Sequence, residues 1–382
     1  MANSSSIDLF VPGDPNTSTG GYIYNAQILA GLAELGWRTR VHSLDDSFPR
    51  PTAAALRDAR AEIASLRADG VVVIDGLALA GLERVLDTEA KRLPVVALIH
   101  HPLALETGLD PAEARLLETA ERAALALVTR VICTSHWTAR TLATYGVPTE
   151  KIRVVEPGVD RRGQRAAGGA ASARPARVDG DPPSARNARD TGKSMRDVRL
   201  LCVATVTPRK GHAVLLEALG ELRERRWHLT CAGSVTRDPA TFAALEHQIE
   251  RLALRARVSF LGDLDSDALE REYERADLFV LASYLEGYGM ALAEAIARGI
   301  PVVSTTAGAI PETVPPAAGV LVPPGDSRAL AKALATLLDD DDARADLASK
   351  ARAAAAALPT WRAAAERFAA ALEGAAPARI AR

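Results

Sequence analysis

The feature that most constrains the fold of this chain is a repeated alternation. Short apolar runs of strand length are separated by Ala- and Leu-rich segments whose apolar positions fall three and four apart. Such a pattern marks parallel βαβ units, because parallel strands are buried on both faces and each needs a crossover helix to reach the next. The first half is expected to place strands at Ile7–Pro12, Arg38–Ser43, Gly70–Asp75, Pro94–His100, Leu127–Thr134 and Ile152–Pro157, with helices such as Tyr24–Glu34 and Asp110–Ala126 between them. The alternation then breaks. From Arg161 to Asp197 there is almost no large apolar residue, only a mixture dominated by Ala, Gly, Arg, Pro, Ser and Asp. That segment cannot bury enough surface to offset its ordering entropy and is read as a linker.

The pattern resumes with strands expected at Val198–Val206, Trp227–Gly233, Val258–Leu261, Leu278–Ala282, Pro301–Ser304 and Gly319–Val322. Helices fill the gaps at Ala213–Arg225, Pro239–Ala253, Ser266–Ala276, Met290–Arg298 and Arg328–Leu338, and an Ala-rich helix with Thr360 as its N-cap closes the chain. The expected architecture is α/β, with a domain over residues 1–160, a low-complexity linker over 161–197 and a second domain over 198–358. In open parallel sheets, ligands bind beyond the carboxyl ends of the strands, so two such domains can face one cleft.

Composition removes several classes. With 46 basic against 48 acidic side chains the chain lacks the basic excess of a nucleic-acid binder. No apolar run reaches the ~18 residues of a membrane span, and Met1–Ser6 lacks a basic n-region and apolar h-region, so a cytoplasmic protein without a secretory signal is expected. Cys133, Cys202 and Cys231 lie in or beside strand-like runs without metal-ligand spacing, and read as buried thiols in a reducing compartment. The Ala- and Arg-rich composition is that of a GC-rich bacterial coding sequence.

The most informative stretch is Leu281 to Ala295, where a strand ends near Ala282 and a helix begins near Gly289 or Met290. Glycines remove side chains where the backbone turns, so its N–H groups can approach an anion, and the helix start adds partial positive charge. Glu286 and Glu294 bracket the turn, and carboxylates beside a phosphate cradle are best explained if they grip neutral sugar or ribose hydroxyls. A dinucleotide fingerprint is excluded, because the next strand ends Val303-Ser304-Thr305-Thr306 with no acid. Lys210 follows a strand, Pro208 and Arg209, with Gly211 behind it, where a point charge can neutralise a leaving diphosphate. Thr19-Gly20-Gly21 reads as a small-residue loop ahead of a helix beginning near Tyr22. His100 and His101 end a strand, where a histidine in a cleft can donate to a hydroxyl; adjacent strand residues face opposite ways, which argues against metal binding. His136 is expected to cap or pack at the helix that follows it.

Glu286-Gly287-Tyr288-Gly289 with Glu294-Ala295 resembles the E-x7-E signature of the retaining glycosyltransferases of family 4, which have the two-domain GT-B fold. Val203 to Gly211 resembles that family's strand-end phosphate loop, and Ile132–His136 with Ile152–Asp160 resembles the end of its first domain. Gly308 to Glu312 and Gly319 to Asp326 match the segments after the signature, and Trp361 sits where the family's closing helix, here 360–382, crosses back to the first domain.

The resemblance implies two Rossmann-like domains and transfer of a sugar from a nucleotide-diphosphate donor, UDP- or GDP-linked, to an acceptor with retention and without metal or other cofactor. It places Glu286, His100 and Lys210 in catalysis, and Arg209, Glu294, Gly287, Tyr288, Gly289, Met290, Ala291, Gly20 and Gly21 in donor binding. The family's usual arginine five or six positions before the lysine is replaced by Thr205 and Ala204, so either Arg209 supplies that charge or the donor is held differently. The expected partners are a nucleotide sugar and an acceptor, with no nucleic acid, no transmembrane segment and peripheral membrane contact left open. A sugar-nucleotide epimerase on the same fold, or a non-catalytic binding protein derived from it, are the alternatives.

Overall fold

The apolar runs form twelve parallel strands among the residues described in the computed structural model, which are 5–68, 70–160 and 196–375. In the first unit these are β1 (Ser6–Pro12), β2 (Arg38–Leu44), β3 (Val71–Asp75), β4 (Val95–Ile99), β5 (Arg130–Cys133) and β6 (Ile152–Val154), in sheet order β2-β1-β3-β4-β5-β6. The second unit holds β7 (Val198–Val203), β8 (Trp227–Ala232), β9 (Val258–Phe260), β10 (Leu278–Leu281), β11 (Val302–Thr305) and β12 (Gly319–Val322), in order β12-β11-β10-β7-β8-β9. Two Rossmann-like sheets with helices on their faces are therefore the architecture that the alternation calls for. Most of the linker read at 161–197 lies outside the described residues.

Burial explains why these runs pair as they do. Every residue of β1, β3, β4 and β10 is buried, as expected for strands covered on both faces. The edge strand β2 instead carries Arg40 and His42 outward. Both are paired to Asp8 of β1, and His42 also meets Glu62, so the exposed edge is charged.

Helix starts follow the capping residues in the sequence. Asp110, Asp265, Asp326 and Thr360 each accept a backbone N–H of the first turn. One helix, Asp341–Ala354, was not expected. Asp340 caps it, but only Ala351 is fully buried, so its apolar stripe is too narrow to show as a period.

The last described helix, Trp361–Glu373, lies on the first unit. Its Phe368 and Leu372 share a core with Ile28 and Leu32 of helix Gly20–Glu34, and a Cβ on Gly31 would meet the Ala365 Cβ at 2.5 Å. Arg130 of β5 donates to the carbonyls of Ala371 and Gly374, satisfying the C-terminal end.

A buried acid holds the loop after β4. Glu121, on helix Pro111–Leu127, accepts the N–H groups of Leu103 at 2.7 Å and Ala104 at 3.3 Å. Burial pushes its carboxyl up to about 7, against the pull of those two amides. The folded chain thus holds a proton that the unfolded chain has released between pH ~4.3 and about 7, so this group's contribution to stability falls as pH rises through that window. At ~1.4 kcal/mol per pKa unit the loss is on the order of 3 kcal/mol. Glu121→Gln should flatten the slope, and urea titrations of both proteins at pH 5 and 8 will check it.

Candidate functional site

Because all strands within each sheet run parallel, their carboxyl ends gather at one edge, and the two edges face each other across a cavity of about 670 Å³. All twelve residues named from the sequence line this one cavity: Gly20, Gly21 and His100 from the first unit, and Arg209, Lys210, Glu286, Gly287, Tyr288, Gly289, Met290, Ala291 and Glu294 from the second.

The turn after β10 shapes the floor. Gly289 caps helix Met290–Ala297 at φ 94°, a left-handed conformation that disfavours side chains. Met290 and Ala291 are the first helical residues, so their amides have no intrahelical acceptor and mark the positive end of the helix. Gly287 is required for a different reason. A Cβ there would stand 2.0 Å from the carbonyl oxygen of His100, so the two units meet backbone to backbone at this point. Thr138 joins the same seam, its hydroxyl lying 3.3 Å from the His100 carbonyl and 3.4 Å from that of Gly287.

The cations stand over this floor. Lys210 Nζ donates to Glu286 Oε1 at 2.6 Å, and Ser283 donates to the same oxygen at 2.6 Å. Arg209 donates to the Leu285 carbonyl at 2.8 Å and lies 3.7 Å from Glu286 Oε2. Burial disfavours a charged Glu286, but Lys210 and Arg209 override it and hold the carboxyl below its usual range. Burial also lowers the Lys210 pKa, with Glu286 opposing. The sequence reading treated these two as separate grips; the structure pairs them.

Arg209 also bridges the units, its Nε 2.9 Å from Glu106 Oε1. Glu106 is half-buried, yet His101 and Arg209 pull its pKa down to about 2, so the bridge is a charged one. Arg237, from the loop after β8, lines the same cavity and was missed from sequence. It sits where a second cation can compensate for Thr205 and Ala204, but no local motif marks it.

Glu294 lies about one turn inside the short helix. Burial raises its pKa, with the nearby Arg298 and the hydrogen bond from Tyr273 acting against burial. The Tyr273 hydroxyl donates to Oε2 at 2.8 Å, which fixes the carboxylate and leaves Oε1 for another partner. Tyr273 is itself buried and lies under the Arg298 guanidinium, 4.4 Å from its ring centroid. Its position on helix Ser266–Arg275 gave no sequence signal, because a buried tyrosine on an apolar face looks like core.

On the first unit, Gly20 and Gly21 are the first two residues of a helix and not a loop, with Thr19 as N-cap. The tight approach is at Gly21 and to a residue of its own unit. A Cβ on Gly21 would meet the His100 ring at 3.2 Å, and one on Gly20 would meet Met290 Sδ at 3.8 Å. His100 stands with Nε2 3.6 Å from Asp75 Oδ2, beyond hydrogen-bond length. Asp75 is anchored by Asn25 at 2.9 Å and by the Leu77 amide, an acid at a strand end that the sequence showed but did not assign. His136 is exposed at the first position of its helix; Ser135 caps that helix instead, by accepting the Thr138 amide.

Comparisons with known proteins follow this geometry. Residues 7–162 match the model of Glycosyltransferase Family 4, and residues 184–354 match that of Glycosyl transferases group 1. The chain is 29% identical over 205 residues to a D-inositol 3-phosphate glycosyltransferase of Corynebacterium glutamicum, covering 52% of this chain and 46% of that protein. It thus spans about half the length of that relative. It is 28% identical over 331 residues to an MMP alpha-(1->4)-mannosyltransferase of Mycolicibacterium hassiacum, covering 82% of this chain and 72% of the other. Among solved structures, sucrose-phosphate synthase from Thermosynechococcus elongatus superposes with a TM-score of 0.76 at 20% identity, over 97% of this chain and 98% of that one. An Anabaena protein, HepE, crystallised with UDP-glucose, superposes at 0.70 and 18% identity over 97% and 99%.

Two outcomes test the geometry itself. Tyr273→Phe removes a donor to ionised Glu294, so the carboxyl should titrate at still higher pH by carboxyl-carbon NMR; an unchanged titration would mean the hydrogen bond is not made. Gly287→Ala must part the seam at His100. It should enlarge the radius of gyration in solution scattering and cost ~1–3 kcal/mol in chemical unfolding.

Proposed function

For a chain that belongs to the GT-B glycosyltransferases, with a Family 4 segment followed by a group 1 segment, we propose transfer of a sugar from a nucleoside diphosphate donor to an acceptor hydroxyl, with retention of anomeric configuration and without a metal ion. The observation that carries this reading is the convergence on one cavity of Lys210, Arg209, the buried carboxylate of Glu286, the half-buried one of Glu294 and the amino end of helix Met290–Ala297, opposite Gly20, Gly21 and His100.

The chemistry follows from charge. In a glycosyl transfer the departing diphosphate gains negative charge as the sugar becomes oxocarbenium-like, so groups already aimed at that charge lower the barrier most. The amides of Met290 and Ala291 and the cations of Lys210, Arg209 and Arg237 would take the diphosphate. Lys210 starts from its ion pair with Glu286, which keeps the buried ammonium charged until the phosphate shares it. Glu294, with one oxygen held by Tyr273, would accept hydroxyls of the ribose.

Glu286 would orient the transferred sugar through its hydroxyls. Its Oε1 is already engaged by Lys210 and Ser283 and Arg209 stands beside Oε2, which suits a positioning acceptor better than a covalent nucleophile. His100 would contact the same sugar from the first unit. The seam at Gly287 and the Arg209–Glu106 bridge join the two units beside the cavity, and closure about them would exclude water and limit donor hydrolysis.

The test is a transfer assay with UDP- and GDP-sugars beside calorimetric binding of the free nucleotides. Glu294→Gln should weaken nucleotide binding by about tenfold, whereas Glu286→Gln should lower kcat by about a hundredfold with nucleotide affinity little changed. The first-formed product should carry the donor's anomeric configuration by proton NMR coupling, and the rate should not depend on added Mg2+ or Mn2+. Binding and turnover that are unchanged in both variants would remove these carboxylates from the site.

A further inference from the structure

We propose that Cys202, Cys231 and His212 form a binding site for one zinc ion that ties β7, β8 and the start of the next helix together beneath the Lys210 loop. The sequence reading found no metal-ligand spacing among the cysteines, and in sequence there is none. The fold creates it. Cys202 and Cys231 are register partners on the adjacent parallel strands β7 and β8, so their side chains leave the sheet on the same face. His212 opens helix His212–Gly220 and turns its ring down onto that face, placing Nε2 3.7 Å from Cys202 Sγ.

One ligand atom from each residue lies within 4.8 Å of the others. In a tetrahedral site with Zn–S of ~2.3 Å and Zn–N of ~2.1 Å, neighbouring ligand atoms stand roughly 3.6–3.8 Å apart. The 3.7 Å between Cys202 Sγ and His212 Nε2 already meets that spacing, and the two separations to Cys231 Sγ, each within 4.8 Å, would have to shorten by at most about 1 Å as an ion enters.

Charge selects the metal. The three side chains are only 1%, 2% and 3% exposed and belong to or border the apolar core of the second unit. An ion with net charge is costly there. Two thiolates, a neutral imidazole and Zn2+ sum to zero, whereas copper(I) with the same ligands leaves one negative charge. The other ring nitrogen, His212 Nδ1, is buried without a hydrogen-bond partner in this structure. That is the nitrogen a metal-bound imidazole turns to an outer partner, commonly a carbonyl or a water. None of the three residues has a part in the proposed transfer. His212 follows Lys210 by two positions, so a bound ion would fix the backbone that carries the cation.

The full chain, purified under reducing conditions and stripped with a chelator, should take up one Zn2+ per chain against a chromophoric competitor. Co2+ in its place should give the intense near-ultraviolet absorption of thiolate coordination. Cys202→Ser and Cys231→Ser should each weaken uptake by at least about 100-fold, while Cys133→Ser, in the other unit, should not. Should a variant not fold, the unmodified chain decides the matter: in urea high enough to open the buried thiols, Zn2+ should slow alkylation of Cys202 and Cys231 in peptide mapping more than that of Cys133, which lies in the other unit. Uptake weaker than about 10 µM in the unmodified chain, or undiminished in the Cys202→Ser/Cys231→Ser double variant, overturns the proposal. The measurement needs no sugar nucleotide, so its failure leaves the transfer reading intact, and failure of transfer leaves zinc binding intact.

Discussion

The ion pair between Lys210 and Glu286 is the contact on which the cavity depends. The two residues are 76 positions apart, yet β7 and β10 are neighbours at the centre of the second sheet, so the loops that leave their carboxyl ends touch. A buried carboxylate alone would protonate and a buried ammonium alone would lose its proton. Side by side, and with Ser283 donating to the same oxygen, each keeps the other charged. The arrangement stores both signs of charge in a low-dielectric space without requiring a bound ligand.

The same economy governs the seam. Backbone meets backbone at Gly287 and His100 because glycine leaves nothing in the way, and Thr138 reaches the carbonyls of both. Arg209 adds a charged bridge to Glu106 across the cleft, and Glu312 accepts the Trp137 amide and pairs with Arg140 from the other side. These contacts are few and polar apart from a small apolar patch of Val159, Tyr288 and Ala293. Interfaces of this kind are where domain motion is the ordinary expectation, in contrast with the continuous apolar cores on either side.

Legibility differed sharply by type of residue. The central strands were readable because burial on both faces forces unbroken apolar runs, and Glu286, Gly287, Gly289 and Glu294 stood out because glycines and acids at a strand-to-helix turn have few structural reasons to be there. Tyr273 and Arg237 gave no such signal. A core tyrosine and a surface arginine are common everywhere, and only their distance to Glu294 or to the cavity distinguishes them. The helix Asp341–Ala354 escaped because alanine buries little area, and the Gly20–Gly21 segment was misread as loop because paired glycines are poor helix formers when tertiary packing is ignored.

What the sequence determined by itself was the alternation, hence two parallel sheets, and the order of strands and helices along the chain, although β6 and β7 end at Val154 and Val203, three residues before the expected ends. Those follow from local rules: period, capping and the burial that each strand demands. Which loops meet was decided by strand order and by the docking of the two units: strand order sets Lys210 beside Glu286 and Cys202 beside Cys231, and docking sets His100 against Gly287. Charges and ligands separated by tens of residues acquire their chemistry from distance in space, and no local pattern encodes that distance.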